Sequence, residues 1–282
     1  MPKLLVAIMT CHSADYREKD DGLTIDWFDA TRCKDVNARR QAIRATWKKE
    51  FERLGIDVKF FLGKTNAREP LDDEVFVDSG DRYHDNSYKL KRMCAYALEN
   101  GYDYMLRLDD DVYLYPDRIL ATEWAQHDYA GAPCGDFLIG AVKFLSRRAM
   151  TLIRDSRVTH WADDAWVGCV MRDNRISMHT MRSFHCKLGD EYYVQPERVP
   201  NNHQWSAFHS CYPSVIKTLW ERDHGPCDAP NVGMGAKGTK STSQPYVKVK
   251  QIQIGPDAPV VPGRLKYASD GLTVDWWATH ER

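Results

Sequence analysis

Two hydrophobic periods alternate along the first two-thirds of this chain, and that alternation most restricts what it can fold into. Short runs rich in Val and Phe ("KLLVAIMT" at 3–10, "IDVKFFLG" at 56–63, "DEVFVDS" at 73–79, "YDYMLRLDD" at 102–110) read as strands. Between them lie segments with helical spacing. In 35–55, Ile43, Trp47 and Phe51 recur every four residues and Leu54 follows three later, with Asp35 placed as an N-cap and Gly55 as a stop. In 85–101, Leu90, Met93 and Ala97 form one face, Asp85 or Asn86 caps it, and Gly101 follows its end. A short helix in 117–126, apolar runs at 128–133 and 137–145, and helices at 146–156 and 162–174 continue the series. Strands alternating with helices predict a mostly parallel α/β sheet with helices on both faces.

After residue 184 the character changes, with Gly, Pro, His and Asn frequent. Residues 1–183 are therefore expected to form the α/β core, and 184–282 an extension that wraps it and contributes to its sites. "GMGAKGTKSTSQP" (233–245) reads as a loop and "YVKVKQIQI" (246–254) as an edge strand. One octapeptide recurs: "DGLTIDWF" (21–28) returns as "DGLTVDWW" (271–278), two similar turn-plus-strand pieces or an aromatic platform.

A 43% apolar content over 282 residues excludes a disordered chain. A net charge of −1 advertises no polyanionic partner across the whole surface. No apolar run has the length of a membrane span, so no transmembrane segment is expected, and the expectation is a soluble, cytoplasmic protein. The eight cysteines are scattered without a C-x-x-C pair, which argues against a zinc ribbon and favours free thiols.

"YMLRLDDDVYLY" (104–115) places three carboxylates at the edge of an apolar strand. Uncompensated, they are costly there. On a strand, residues two apart share a face, so Asp109 and Asp111 point together and Asp110 points away. In open α/β sheets ligands bind beyond the carboxyl ends of strands, and paired carboxylates suit Mg²⁺ or Mn²⁺. Arg107 lies on the same face and is the main alternative partner; a solvated turn is the bland reading.

Five segments in order resemble one family. The triplet with Val112 and Tyr113 is similar to the D-D-D-V-[FY] metal motif of the β-1,3-galactosyltransferase and Fringe-like glycosyltransferases. "RRQAIRATW" (39–47) resembles that family's I-R-x-T-W helix and "VKFFLG" (58–63) its F-L-x-G strand; "YHDNSYKLK" (83–91) and "ADDAWVG" (162–168) resemble its Y-x-N-L-T-x-K and E-D-V-x-x-G segments. Asp163 and Ala165 depart from the last pattern. The resemblance implies a glycosyltransferase type A fold, Rossmann-like with a less regular C-terminal extension. It implies inverting transfer from a UDP-sugar with Mn²⁺ (or Mg²⁺) to an acceptor glycan or other hydroxyl-bearing molecule. By that resemblance Asp109 and Asp111 hold the metal, Asp110 contacts the sugar or a neighbouring basic group, and Asp164 is the base. His209 completes the metal site, with His185 as competitor and His203 also downstream. Arg40, Arg44 and Lys91 are candidates for diphosphate contacts, and Thr10 for the nucleotide base. The plain structural reading makes Asp164 an N-cap.

Alternatives from the residues remain. The lysines of 235–250 could follow the phosphates of DNA bearing a hydroxymethylated base. Paired aspartates also serve two-metal phosphoesterases, and the Trp-bearing repeat could serve a non-catalytic sugar-binding module.

Overall fold

Continuous apolar runs form strands buried on both faces, and the first strand shows it. All six residues of β1 (Leu4–Met9) are buried, and alternate ones enter different cores: Leu4, Val6 and Ile8 one, Leu5, Ala7 and Met9 the other. A computed structural model describes residues 2–12, 35–185, 205–231, 246–252, 261–268 and 271–274, without the side chains of Tyr83, His185 or the last three segments. Beside β1 lie β2 (Asp57–Gly63), β3 (Glu74–Val77) and β4 (Tyr104–Asp109), then β6 (Tyr129–Cys134), β7 (Phe137–Ser146) and β8 (His179–Thr180), in the order β3-β2-β1-β4-β7-β6-β8. Only β7 is reversed, antiparallel to both β4 and β6. The reversal follows from a two-residue hairpin in which Gly135 takes φ 63.

Helices cover both faces, as expected. On one side α1 (Val36–Ala45), α2 (Lys48–Arg53), α4 (Pro116–Leu120) and α7 (Pro213–His224) bring Ile43, Phe51, Ile119, Ile216 and Leu219 to the sheet. On the other, α3 (Asn86–Glu99), α5 (Arg147–Asp155) and α6 (Asp163–Asp173) bring Met93, Met150 and Trp166. The single helix expected over 35–55 is two. Asp35 caps it through Ala38 N–H (2.8 Å), but the chain breaks at Thr46, whose hydroxyl donates to the Ala42 carbonyl (2.6 Å). The Trp47 indole N–H then reaches the Val112 carbonyl at 3.1 Å, tying the break to the turn after β4.

Beyond residue 184, the described residues 205–231 are built into the core. A small sheet joins β5 (Tyr113–Leu114) to β10 (Ala207–Phe208) and β9 (Phe184–His185), and α7 packs on α1. The three strands β11 (Tyr246–Ile252), β12 (Val261–Ala268) and β13 (Gly271–Val274) form their own antiparallel sheet, with β11 at its edge as expected. The 21–28 copy of the repeat and the loop 233–245 lie outside the described residues. Cys94, Cys134, Cys169 and Cys227 are free thiols. Among the described residues no helix is long and apolar enough to cross a membrane.

One packing contact gives a stability test. A Cβ on Gly168 of α6 would lie 2.5 Å from Phe137 Cβ, which is fixed to the start of β7. Alanine gains about 1 kcal/mol of helix propensity there, against an overpacking cost of about 1–3 kcal/mol. Gly168→Ala is expected to lower stability in denaturant unfolding; a variant as stable as the native chain would show that Phe137 gives way.

Candidate active site

The apolar part of β4 ends at Asp109, and the turn that follows is held from two directions. Val112 receives the Trp47 indole N–H, and the Asp111 carbonyl receives the Cys211 N–H at 2.8 Å. Antiparallel pairing of Phe208 with Tyr113 then delivers the next residue, His209, to the turn. Ser210 takes φ 63, a left-handed backbone that costs a non-glycine residue of order 1 kcal/mol and here redirects the chain beside His209. His209 Nε2 lies 3.4 Å from Asp111 Oδ1 and 3.8 Å from Asp109 Oδ2. One ligand atom from each of the three falls within 4.8 Å of the others. Asp111 and His209 are buried and Asp109 is half-buried, so the cluster opens at one side. Two carboxylate oxygens and one imidazole fit Mn²⁺ better than Mg²⁺, which favours oxygen ligands and water.

Asp110 points the other way, as the period of two predicts. Its Oδ1 accepts from Arg39 (2.9 Å) and its Oδ2 from the Thr10 hydroxyl (2.6 Å), so it ties α1 to the end of β1. Arg40 donates to the Cys11 carbonyl (2.6 Å) and Thr10 Oγ1 (3.3 Å). Burial lowers the Arg40 pKa, against the raising influence of Asp110 and Glu74. Lys89, buried on α3, donates to the Thr10 carbonyl (2.8 Å) and to Asp81 (2.5 Å). Burial works to raise the Asp81 pKa. Lys89, with the backbone N–H groups of His12 and Gly63, nevertheless holds it below the usual carboxylate range.

Arg107 is fully buried and adjoins the Asp109–Asp111–His209 cluster. Its Nη1 donates to Asp109 Oδ1 (2.6 Å) and to the Gly140 carbonyl, while Nη2 reaches Asp163 (3.3 Å). Arg107 thus takes one oxygen of Asp109 and leaves the other facing His209. Asp163 also accepts from Lys143 Nζ at 3.0 Å. Asp163 and Asp164 open α6, whose N-cap is Ala162; the expected aspartate cap is absent because both carboxyls sit inside the first turn. Their ionisations diverge. Burial pushes Asp163 upward, but Arg107 and Lys143 outweigh it and bring its pKa below normal. Burial and the charge of Asp163 raise that of Asp164.

The structure therefore brings Asp109, Asp111 and His209 together and sets Thr10, Asp110 and Arg40 beside them. Two candidates bond away from the cluster. Arg44 is committed to Asp73 (2.9 and 2.8 Å) and Glu74 (3.1 Å), one helical turn beyond Arg40. Lys91 donates to the Ser156 carbonyl (2.7 Å) between α3 and α5, whereas Lys89 reaches the strand ends. Lys89 stands four residues before Met93 on the apolar face of α3, whereas Lys91 is off it. Arg39 was also missed, although it extends the series Ile43, Trp47, Phe51 backwards by four. Lys143 is the lone charge in the apolar run of β7. The side chain of His185, and His203, lie outside the described residues.

Part of the chain is similar to known proteins. Residues 38–129, from α1 through the acidic turn, match the galactosyltransferase family model. Over 101 residues the chain is 30% identical to Probable beta-1,3-galactosyltransferase 13 of Arabidopsis thaliana, covering 29% of each protein. Among solved structures, a protein assigned as a nucleotide-diphospho-sugar transferase from Desulfovibrio desulfuricans aligns with TM-score 0.44 and 13% identity, over 64% of this chain and 80% of that one. A variant Drosophila β1,4-galactosyltransferase 7, in complex with manganese, UDP-Gal and xylobiose, aligns with TM-score 0.40 and 11% identity over 94% of each chain. Likenesses this loose carry no weight alone; the fold rests on the strand order.

Proposed function

We propose, from a galactosyltransferase-family segment that carries Asp109 and Asp111 and from the approach of His209 to them, that this chain is a metal-dependent hexosyltransferase. It moves a sugar from a UDP-sugar to an acceptor hydroxyl, with inversion and formation of a β linkage. The observation that carries the reading is the convergence of Asp109, Asp111 and His209 at the carboxyl end of β4. That edge is where α/β sheets bind nucleotides. A divalent ion held there supplies charge to offset a departing diphosphate.

The protein's own groups do the remainder. Asp109 and Asp111 present oxygens, and His209 presents Nε2. Arg39 and Thr10 hold Asp110 on the side of the turn away from His209. Arg40 and Lys89 bring positive charge to the end of β1, where a diphosphate would need it. Asp164, whose proton affinity is raised by burial and by Asp163, is suited to take the proton of an acceptor hydroxyl.

A thermal-shift panel of UDP-, GDP- and ADP-sugars, each with and without Mn²⁺, tests the reading. UDP-sugars with Mn²⁺ are expected to stabilise the chain, by about 2.7 kcal/mol at a hundredfold excess over Kd. GDP- and ADP-sugars are expected to do little. Equal shifts from all three classes, or none, would count against a UDP-sugar enzyme.

A further inference from the structure

Lys143 stands out because its position ought to be unfavourable. It is fully buried on β7 and directly opposite Arg107 of β4, itself almost fully buried. Like charges at paired positions of antiparallel strands repel, and buried cations need compensation. Both side chains turn to one carboxylate. Lys143 Nζ lies 3.0 Å from Asp163 Oδ2, and Arg107 Nη2 lies 3.3 Å from the same oxygen. Arg107 meets Asp109 with its other nitrogen. Two cations and two anions therefore form one chain of charges from the metal cluster to the first turn of α6. Asp164, the next residue, is the third carboxylate; Lys143 and Arg107, both paired with Asp163, reach it through their charge.

We propose that Lys143 is a positioning residue: with Arg107 it clamps Asp163, so that Asp164 is the carboxylate presented to the acceptor hydroxyl. The inference rests on the transferase reading and assigns a division of labour within it. Asp163 is spent as a counter-ion and cannot also act as a base. Asp164 is faced by Asp163 on its own helix, Lys143 on β7, Arg107 on β4, and Tyr129 and Cys134 on β6. Of these, Lys143 and Arg107 lower its proton affinity, and the clamp sets how far burial and Asp163 can raise it.

Lys143→Met and Lys143→Arg test the clamp in the full chain. Aspartate carboxyl carbons are followed by NMR across pH, with the Asp164 signal identified through Asp164→Asn. The Mn²⁺ dependence, KM and kcat are read on the same samples. Lys143→Met is expected to titrate Asp164 at higher pH and to move the acidic limb of kcat the same way. It is expected to lower kcat about 10- to 100-fold, with donor KM and Mn²⁺ half-saturation within about twofold of native. Lys143→Arg is expected to restore most of kcat. An unchanged Asp164 titration, or metal and donor affinity falling in step with kcat, would overturn the proposal. Should Lys143→Met not fold, Lys143→Gln is read through the same titration. Because that titration needs no turnover, a native chain inactive on every UDP-sugar would sink the transferase reading while the clamp is still measured.

Discussion

Asp111→Ala is expected to lower Mn²⁺-dependent sugar transfer by several kcal/mol of barrier, about 10²–10³-fold, and to abolish the Mn²⁺-induced rise in Tm. Asp111 is one of three ligand donors, and the one nearest to His209. Asp109 cannot take over its part, because one of its oxygens is already held by Arg107 at 2.6 Å. The metal-free chain should keep its fold. The turn is anchored through backbone and indole groups that the substitution leaves in place, namely Asp111 carbonyl to Cys211 N–H and Trp47 to Val112 carbonyl. Removing one of two facing carboxylates also relieves repulsion. Activity and Tm measured with and without Mn²⁺ separate the readings. A large fall in metal-free Tm, with Mn²⁺ dependence intact, would make Asp111 a structural partner of His209.

Much of this site was legible in the sequence because its geometry is local. A strand period of two separates Asp110 from Asp109 and Asp111, and three consecutive residues at a strand end need nothing from elsewhere. The burial of Ile43, Trp47 and Phe51 was likewise legible from residues four apart, although the helix breaks between the first and the last of them. What stayed hidden depends on pairings across long stretches of chain. The approach of His209 to Asp111 is produced by strands 113–114 and 207–208, and no local pattern records that register. The opposition of Lys143 to Arg107 is set by an antiparallel register formed only because one strand in seven is reversed. The partners of Lys91 and Arg44 stayed hidden for a related reason. Each is a cation in a motif-bearing segment, yet helical phase sends one to Ser156 and the other to Asp73. Phase could have been read: Arg39 and Lys89 sit on apolar faces, where an isolated cation has to find a buried anion or carbonyl.

Asp164→Asn is expected to reduce transfer about 10²–10⁴-fold, the ordinary worth of a general base, while leaving UDP-sugar and Mn²⁺ binding near native values. The native chain is expected to lose kcat as pH falls through the raised pKa of Asp164, because the protonated carboxyl cannot accept the acceptor's proton. The variant's residual rate should not show that limb. Stability gives an independent sign. Burial and Asp163 raise the Asp164 pKa, so the folded chain binds this proton more tightly than the unfolded chain does. Its ionisation therefore costs stability, fully so above the raised pKa, and the cost disappears as pH falls below the unfolded value. Asn cannot ionise, so Asp164→Asn should leave Tm at neutral pH unchanged or higher. A purely structural Asp164 predicts the reverse. In the first turn of α6 a negative charge gains about 0.3–1 kcal/mol from the helix dipole, and Asn would forfeit it. A variant that loses turnover and holds its Tm marks a carboxylate kept in an unfavourable place for chemistry; one that loses Tm and keeps turnover marks a helix-end charge.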